Sequence, residues 1–201
     1  MLTKPNLMLG VLLGLIGCGT SPNDASSTVR HVPAVSSADC QATVRRFLEW
    51  YYQNQERLPT HLVLRYPKEV AAAFEVPAVH VSSSGRYELD EAGLKQYIGI
   101  LDSTGFFSAS FLAAKKQELT RKARRLASFR PAEGPPPGFD ADMLLYTQEI
   151  YEPEDISNLR TQAATSSGQP PFIVLPIMER QWTFTMEQNP NTCVISAITF
   201  Q

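Results

Sequence analysis

The segment Gln181-Trp182-Thr183-Phe184-Thr185-Met186-Glu187 alternates polar and apolar residues without a break. Successive side chains of an extended chain point to opposite faces, so this order sends Trp182, Phe184 and Met186 toward a core and the threonines away from it. Next, Asn189-Pro190-Asn191 supplies a turn and residues 193–200 run back, predicting a terminal hairpin. Upstream, residues 171–177 and 143–150 read as two more strands, with a polar, glycine-bearing loop over 161–169. The breaker-rich stretch 131–138 contains Pro135-Pro136-Pro137, which neither a helix interior nor a central strand tolerates.

Before that break the pattern is helical. Cys40, Val44, Phe47, Leu48, Tyr51 and Leu58 form one stripe over 39–58, with Ser36, Ser37 or Asp39 as cap and Pro59 as stop. Residues 61–66 fit either a strand or a helical turn, and 68–74 a short helix. Residues 78–81 and 86–89 flank Ser82-Ser83-Ser84-Gly85 as a loose hairpin or paired edge strands. Asp90 caps a helix carrying Leu94, Tyr97, Ile98 and Leu101 that closes near Gly105. Ser108 or Ser110 opens a third long helix, to about residue 127, marked by Phe111, Leu112, Leu119 and Leu126. Helices followed by a meandering sheet predict an α+β domain, its N-terminal helices packed on one face of an antiparallel sheet.

The 201 residues are 43% hydrophobic, 19% charged and 9% aromatic. That mixture is ordinary for a globular chain and foreign to collagen or a disordered polymer. Eighteen Lys and Arg against 20 Asp and Glu give a net charge of −2, with no overall cationic excess to suggest nucleic acid.

The amino terminus predicts an address. Lys4 precedes 11 apolar or small residues over 7–17, and Leu15-Ile16-Gly17-Cys18 follows at the end of that run. As a helix the run spans about 17 Å, short of the roughly 30 Å hydrocarbon core of a bilayer, so it reads as a cleaved leader. Leu15-Ile16-Gly17-Cys18 resembles the bacterial lipoprotein box, which implies cleavage before Cys18 and lipidation of that cysteine. A plain signal peptide with a chance cysteine is the blander alternative. Acyl chains contribute about 0.8 kcal/mol per buried CH₂, and two or three of them hold a protein on a membrane. Gly19 after the cysteine, where enterobacterial sorting uses Asp to retain a lipoprotein in the inner membrane, leans toward the outer one. The expected organisation is a signal over 1–17, a lipidated Cys18 with a Ser/Thr/Pro-rich tether over 18–38 that includes His31, and one domain over 39–201. Without the leader the charge is −3.

Two cysteines remain, Cys40 and Cys193. An exported chain with an even pair invites a disulfide, whereas two buried thiols would serve as small hydrophobes. Spacing alone leaves both open.

Phe47-Leu48-Glu49-Trp50-Tyr51-Tyr52-Gln53-Asn54 resembles an uncharacterised family of bacterial exported proteins, the domain of unknown function numbered 3828. Tyr97-Ile98, Ser103-Thr104-Gly105-Phe106-Phe107-Ser108, Gly134-Pro135-Pro136, Gly138-Phe139-Asp140 and the closing hairpin carry the likeness in order. Asn189-Pro190-Asn191 departs from it, standing where a glycine turn is more usual. The resemblance implies a nuclear-transport-factor-2-like or cystatin-like fold, helices curled on a bent sheet around a conical pocket. It implies no catalytic residues. Trp50, Tyr52, Tyr97 and Trp182 are the candidates to line such a pocket, with core packing as the alternative.

The sharpest charge feature is Lys115, Lys116, Arg121, Lys122, Arg124, Arg125 and Arg130, opposed only by Glu118. It fits a solvated helix face, pairing with the downstream acids Glu133, Asp140, Asp142, Glu149, Glu152, Glu154 and Asp155, or an anion-binding face for lipid headgroups, lipopolysaccharide phosphate or an acidic partner. Those acids lack the EF-hand spacing for calcium, and His61 and His80 have no neighbour at zinc-ligand spacing. No Gly-x-Ser-x-Gly elbow or phosphate loop is present, and His80 beside Ser82-Ser83-Ser84 is the nearest thing to a hydrolase signature. The expectation is an envelope lipoprotein that binds an envelope protein or small ligand, with no cofactor, metal, nucleic acid or turnover. The alternative is a periplasmic immunity or inhibitor protein against a toxin or cell-wall hydrolase.

Overall fold

Helix α1 (Ser37–Asn54) begins where the Ser36 hydroxyl accepts the Asp39 amide and the Asp39 carboxylate accepts the Ser36 amide. This reciprocal cap satisfies amides that have no partner within the helix. Cys40, Val44, Phe47, Leu48 and Tyr51 are buried along one stripe, and a 3₁₀ turn at Gln55–Arg57 delivers Leu58 to the same core. These coordinates come from a computed structural model that describes residues 36–58, 62–129, 136–146, 153–162, 172–177 and 179–201. The leader, Cys18, the tether up to residue 35, His61, Arg130, Glu133, Glu149 and Glu152 lie outside the described residues, and the last three residues expected in the tether, 36–38, cap and open α1.

Strand β1 (Leu64–Arg65) leads into α2 (Lys68–Ala73) and pairs antiparallel with β2 (Glu88–Leu89), Leu64 opposite Leu89. The hairpin expected between 78–81 and 86–89 does not form. Residues Ala78–His80 make a 3₁₀ turn instead, and Val81 forms a parallel bridge with Tyr66. The Tyr66 amide donates to the His80 carbonyl at 2.7 Å and the Ser82 amide to the Tyr66 carbonyl at 2.7 Å, so both segments pair with β1 and its extension.

Helix α3 (Glu91–Ser103) starts at Asp90, whose carboxylate accepts the Gly93 amide at 3.0 Å. The helix opening lies hard against the backbone of Leu62, and a Cβ placed on Gly93 would stand 1.6 Å from the Leu62 carbonyl oxygen. Backbone cannot rotate aside as a side chain does. Gly93→Ala is therefore expected to cost about 3 kcal/mol, the upper end of ordinary overpacking, read as a lowered urea midpoint. A midpoint equal to wild type would show that the 62–63 segment yields freely.

After α3, Phe106 and Phe107 lead to Ser108, which caps α4 (Ala109–Leu126) by accepting the Phe111 amide at 3.1 Å. The remaining chain builds one antiparallel sheet in sequence order: β3 (Arg160–Gln162), β4 (Phe172–Ile177), β5 (Arg180–Asn189) and β6 (Thr192–Phe200). Trp182, Phe184 and Met186 are fully buried, as their alternation requires, while Thr183 and Thr185 are half-buried. Helix α1 packs against all four strands, and Phe47 sets its ring edge-on to Phe106, Phe107 and Phe184. The architecture is α+β.

Two expected features differ. Met143, Leu144 and Leu145 are not a strand: all three are buried in a turn that Asp142 organises, its carboxylate accepting the Leu144 and Leu145 amides. Residues 147–150 of that expected strand lie outside the described residues. Conversely, Arg160–Gln162, at the start of the expected loop, forms β3 opposite β4.

One end of the sheet is partly closed by the chain itself. The Ser108 amide donates to the Ile195 carbonyl at 3.0 Å, and the Ile195 amide to the Phe106 carbonyl at 2.8 Å. Beyond that point β6 is an edge strand. Gln181 and Gln201 exchange both of their hydrogen bonds, so by antiparallel alternation Ile198 and Phe200 turn their backbone N–H and C=O away from β5.

A disulfide joins Cys40 of α1 to Cys193 of β6, with Cα atoms 5.0 Å apart. It ties the first helix to the last strand across 153 positions of sequence. Among the described residues no helix is long and apolar enough to cross a membrane.

Candidate functional site

Helix α4 sorts its cations by face. At 100° per residue, Lys115 and Lys122 fall with Phe111, Leu119 and Leu126 on the side that meets the core, and Glu118 falls beside them. Lys115 is 2% exposed. Its Nζ donates to Glu118 Oε2 at 3.0 Å, to the Met143 carbonyl at 2.8 Å and to Tyr146 Oη at 2.5 Å. Tyr146 Oη in turn donates to Glu118 Oε2 at 2.8 Å, and Lys122 Nζ lies 2.9 Å from Glu118 Oε1. The Lys115 ammonium also stands 4.0 Å from the centre of the Tyr146 ring. Lys115 and Lys122 thus leave the expected anion-binding face: they are the two inward cations of the run and share its one carboxylate, Glu118.

This cluster fastens the 142–146 turn to α4. Tyr51 of α1 donates its hydroxyl to Asp142, and Trp182 of β5 donates Nε1 to the Leu145 carbonyl at 2.8 Å. Tyr146 sits at φ 60°, in the left-handed region that side chains avoid, held there by its hydroxyl partners. Desolvation lowers the Lys115 pKa, with Glu118 opposing that shift. For Glu118 desolvation alone would raise the carboxyl, but Lys115 and the bonds from Lys122, Lys115 and Tyr146 outweigh it and hold it low. Burial and the Glu118 contact push the Tyr146 phenol up.

Every N–H of Lys115 has an acceptor, so its nitrogen offers no lone pair to a substrate; a nucleophilic lysine needs a free, neutral amine. The cluster's chemistry is structural. The cluster borders a groove of about 370 Å³ between α4 and the edge of β6, walled by Lys115, Glu118 and Tyr146 together with Phe111, Arg121 and residues 196–198. Ser196 is an extra residue there: Thr185 faces Ala197 while Met186 faces Ile195, and the Ser196 hydroxyl donates to the Thr185 carbonyl at 3.1 Å. That bulge bends β6 beside α4.

The outer face of α4 presents Lys116, Arg121, Arg124 and Arg125, all exposed, with Ala113, Gln117 and Thr120 between them. Among the described residues no carboxylate pairs with any of these four cations. Lys115 and Lys122 pair with Glu118 of the same helix, and among the described residues no ion pair joins the α4 cations to the downstream acids; Arg130, Glu133, Glu149 and Glu152 lie outside the described residues.

The expected pocket-lining aromatics do not converge. Trp182 is wholly buried, its ring against Phe200, and Tyr97 is 1% exposed, with burial pushing its pKa well up. Trp50 lies half-buried against Phe106, with ring centres 6.2 Å apart, and Tyr52 is 37% exposed. Core packing claimed the first two: Trp182 on the inner face of the sheet and Tyr97 on the buried face of α3 both belong to the hydrophobic core.

His80 has a carboxylate partner that the spacing did not suggest. Its Nδ1 lies 3.2 Å from Asp90 Oδ2, and Arg65 Nε lies 3.5 Å from the same oxygen. Burial would raise the Asp90 carboxyl; the Gly93 amide, His80 and Arg65 outweigh it and hold it low. Ser82 is buried and shares a hydrogen bond with Ser84 at 3.0 Å. Asp90 is thus occupied in capping α3 and anchoring the β1 end, and nearby Tyr66 is pushed up to about 12 by burial and Tyr87. Among the described residues no three His, Cys, Asp or Glu side chains gather as a metal site. No protein-family model, curated protein or solved structure matches the chain.

Glu118 and Asp90 make stability sensitive to acid. A carboxyl held below its unfolded pKa contributes stability that is complete above that value, near 4, and is lost as pH falls through it toward the folded pKa. The urea midpoint should stay level from about pH 7 to 5.5 and fall below about pH 4.5, less steeply in Glu118→Gln. A wild-type midpoint unchanged down to about pH 3 would contradict the assignment.

Proposed function

We propose that this is an exported, lipid-anchored envelope protein whose α+β domain works by binding a protein or ligand, without turnover. The observation that carries the reading is the Cys40–Cys193 disulfide. Such bonds persist in oxidising compartments and are rare in the reducing cytosol. It agrees with a leader ending in Leu15-Ile16-Gly17-Cys18, whose cysteine would carry the acyl chains. Binding without turnover is supported by the state of the titratable groups: Lys115 is saturated and Asp90 is committed to a helix cap. What the domain offers outward is a groove, an open strand edge and four cations.

Growth with labelled palmitate, followed by fractionation, tests the anchor. Label should enter the wild-type protein and track with membranes, and Cys18→Ser should lose both. Unchanged fractionation of Cys18→Ser would sink the reading. The immunity or inhibitor alternative is favoured by the outward backbone groups of Ile198 and Phe200 on a rigid edge, which suit strand addition from a protein partner.

A further inference from the structure

We infer that the outer face of α4 is a membrane-surface contact, laid on anionic phospholipid headgroups; the inference rests on the lipid-anchored reading above. Lys116, Arg121, Arg124 and Arg125 are exposed on one side of the helix, spaced over about 14 Å along its axis. The carboxylate inside the run, Glu118, is turned inward and held by Lys115 and Lys122, so the outer face is uniformly positive. Neutral residues fill the gaps between the cations. In the turn that ends the helix, Phe129 is 49% exposed. A helix face carrying four cations unpaired among the described residues suits a flat anionic surface.

The chain's negative net charge does not oppose this. Charges are screened beyond about 8 Å at physiological ionic strength, so a surface responds to the nearest face and hardly to the total. The anchor would supply proximity, since a tether of some twenty residues averages roughly 25 Å. Each cation near an anionic leaflet strengthens association about fivefold, so four together give an effect on the order of several-hundred-fold. That is enough to bias how an already anchored domain lies.

The test uses the acylated full-length protein with a fluorophore at Ala113→Cys on the α4 face, or at Ala72→Cys on α2 as the control. Vesicles are phosphatidylcholine alone or with phosphatidylglycerol, each carrying a nitroxide-labelled lipid that quenches near the headgroups. The expected result is flotation with both vesicle types and quenching at Ala113 only where phosphatidylglycerol is present. That quenching should fall to the phosphatidylcholine level in about 0.5 M salt and in K116E/R121E/R124E/R125E, while Ala72 stays unchanged. Flotation with both vesicle types but no charge-dependent quenching overturns the contact and leaves the anchor standing. Flotation only with phosphatidylglycerol supports the contact and counts against the anchor; flotation with neither overturns both. An Ala113 label indifferent to anionic vesicles but shifted by poly-glutamate assigns the face to an acidic protein and overturns the membrane contact.

Discussion

Replacing Glu118 with alanine will lower the unfolding free energy by about 3 to 5 kcal/mol, measured by urea denaturation followed by the fluorescence of Trp50 and Trp182. The change strips the hydrogen-bonded carboxylate from Lys115, which is 2% exposed, and leaves only the more distant charge of Asp142 to balance it. Breaking a buried pair on one side leaves an uncompensated ion, and this is worse than having no pair at all. The double variant K115M/E118A should therefore recover much of the loss, because the unpaired ammonium is gone and methionine fills similar volume. Glu118→Gln, which keeps the volume and an acceptor oxygen, should fall between. A loss under about 1 kcal/mol in Glu118→Ala would mean that water reaches Lys115.

The second large effect is removal of the Cys40–Cys193 bond. Closing a span of 153 positions restricts the unfolded chain, and the loop-entropy relation gives about 5 kcal/mol for a loop of that size. Wild type in reducing buffer should lose most of that amount, and C40A/C193A somewhat more. Both cysteines are buried, Cys40 fully, so the alanines also leave small cavities that add to the loss. If reduction leaves the midpoint unmoved, the first helix and last strand hold together without the bond, and its role is not stability.

Local signals gave the elements, and failed where a residue's fate is settled by distant partners. The alternation around Trp182, the caps at Ser36, Asp90 and Ser108, and the stripe on α1 each depend on neighbours within a few positions, so they were legible. Strand β3, reading Arg160-Thr161-Gln162, has no apolar residue to betray it and exists because β4 offers an edge. The buried run Met143-Leu144-Leu145 imitated a strand; the cue against it was Asp142, whose side chain folds back onto the following amides as turn aspartates do. Whether Cys40 meets Cys193 could not be judged from spacing, because it depends on how α1 crosses the sheet.

The candidate site was half legible. Treating the α4 cations as one block hid their division, yet a helical projection already places Lys115 four residues after Phe111 and four before Leu119, on the buried stripe. A lysine there demands a carboxylate, and Glu118 is the one within reach on that helix. The groove and the β6 bulge were not legible, since the register offset at Ser196 arises only when β5 and β6 pair. The Asp90–His80 contact was likewise out of view: the two residues are ten apart and meet because β1 gathers both segments.

The central claim is that a folded, disulfide-bonded domain is held outside the cytosol on a lipidated cysteine. Intact mass of the protein extracted from membranes tests it most directly. The account predicts a chain beginning at Cys18, heavier than its sequence by the mass of its acyl groups and lighter by the pair of hydrogens that reduction restores. A chain that retains residues 1–17, or one that begins at Cys18 with no added mass and stays in the aqueous fraction, would contradict it.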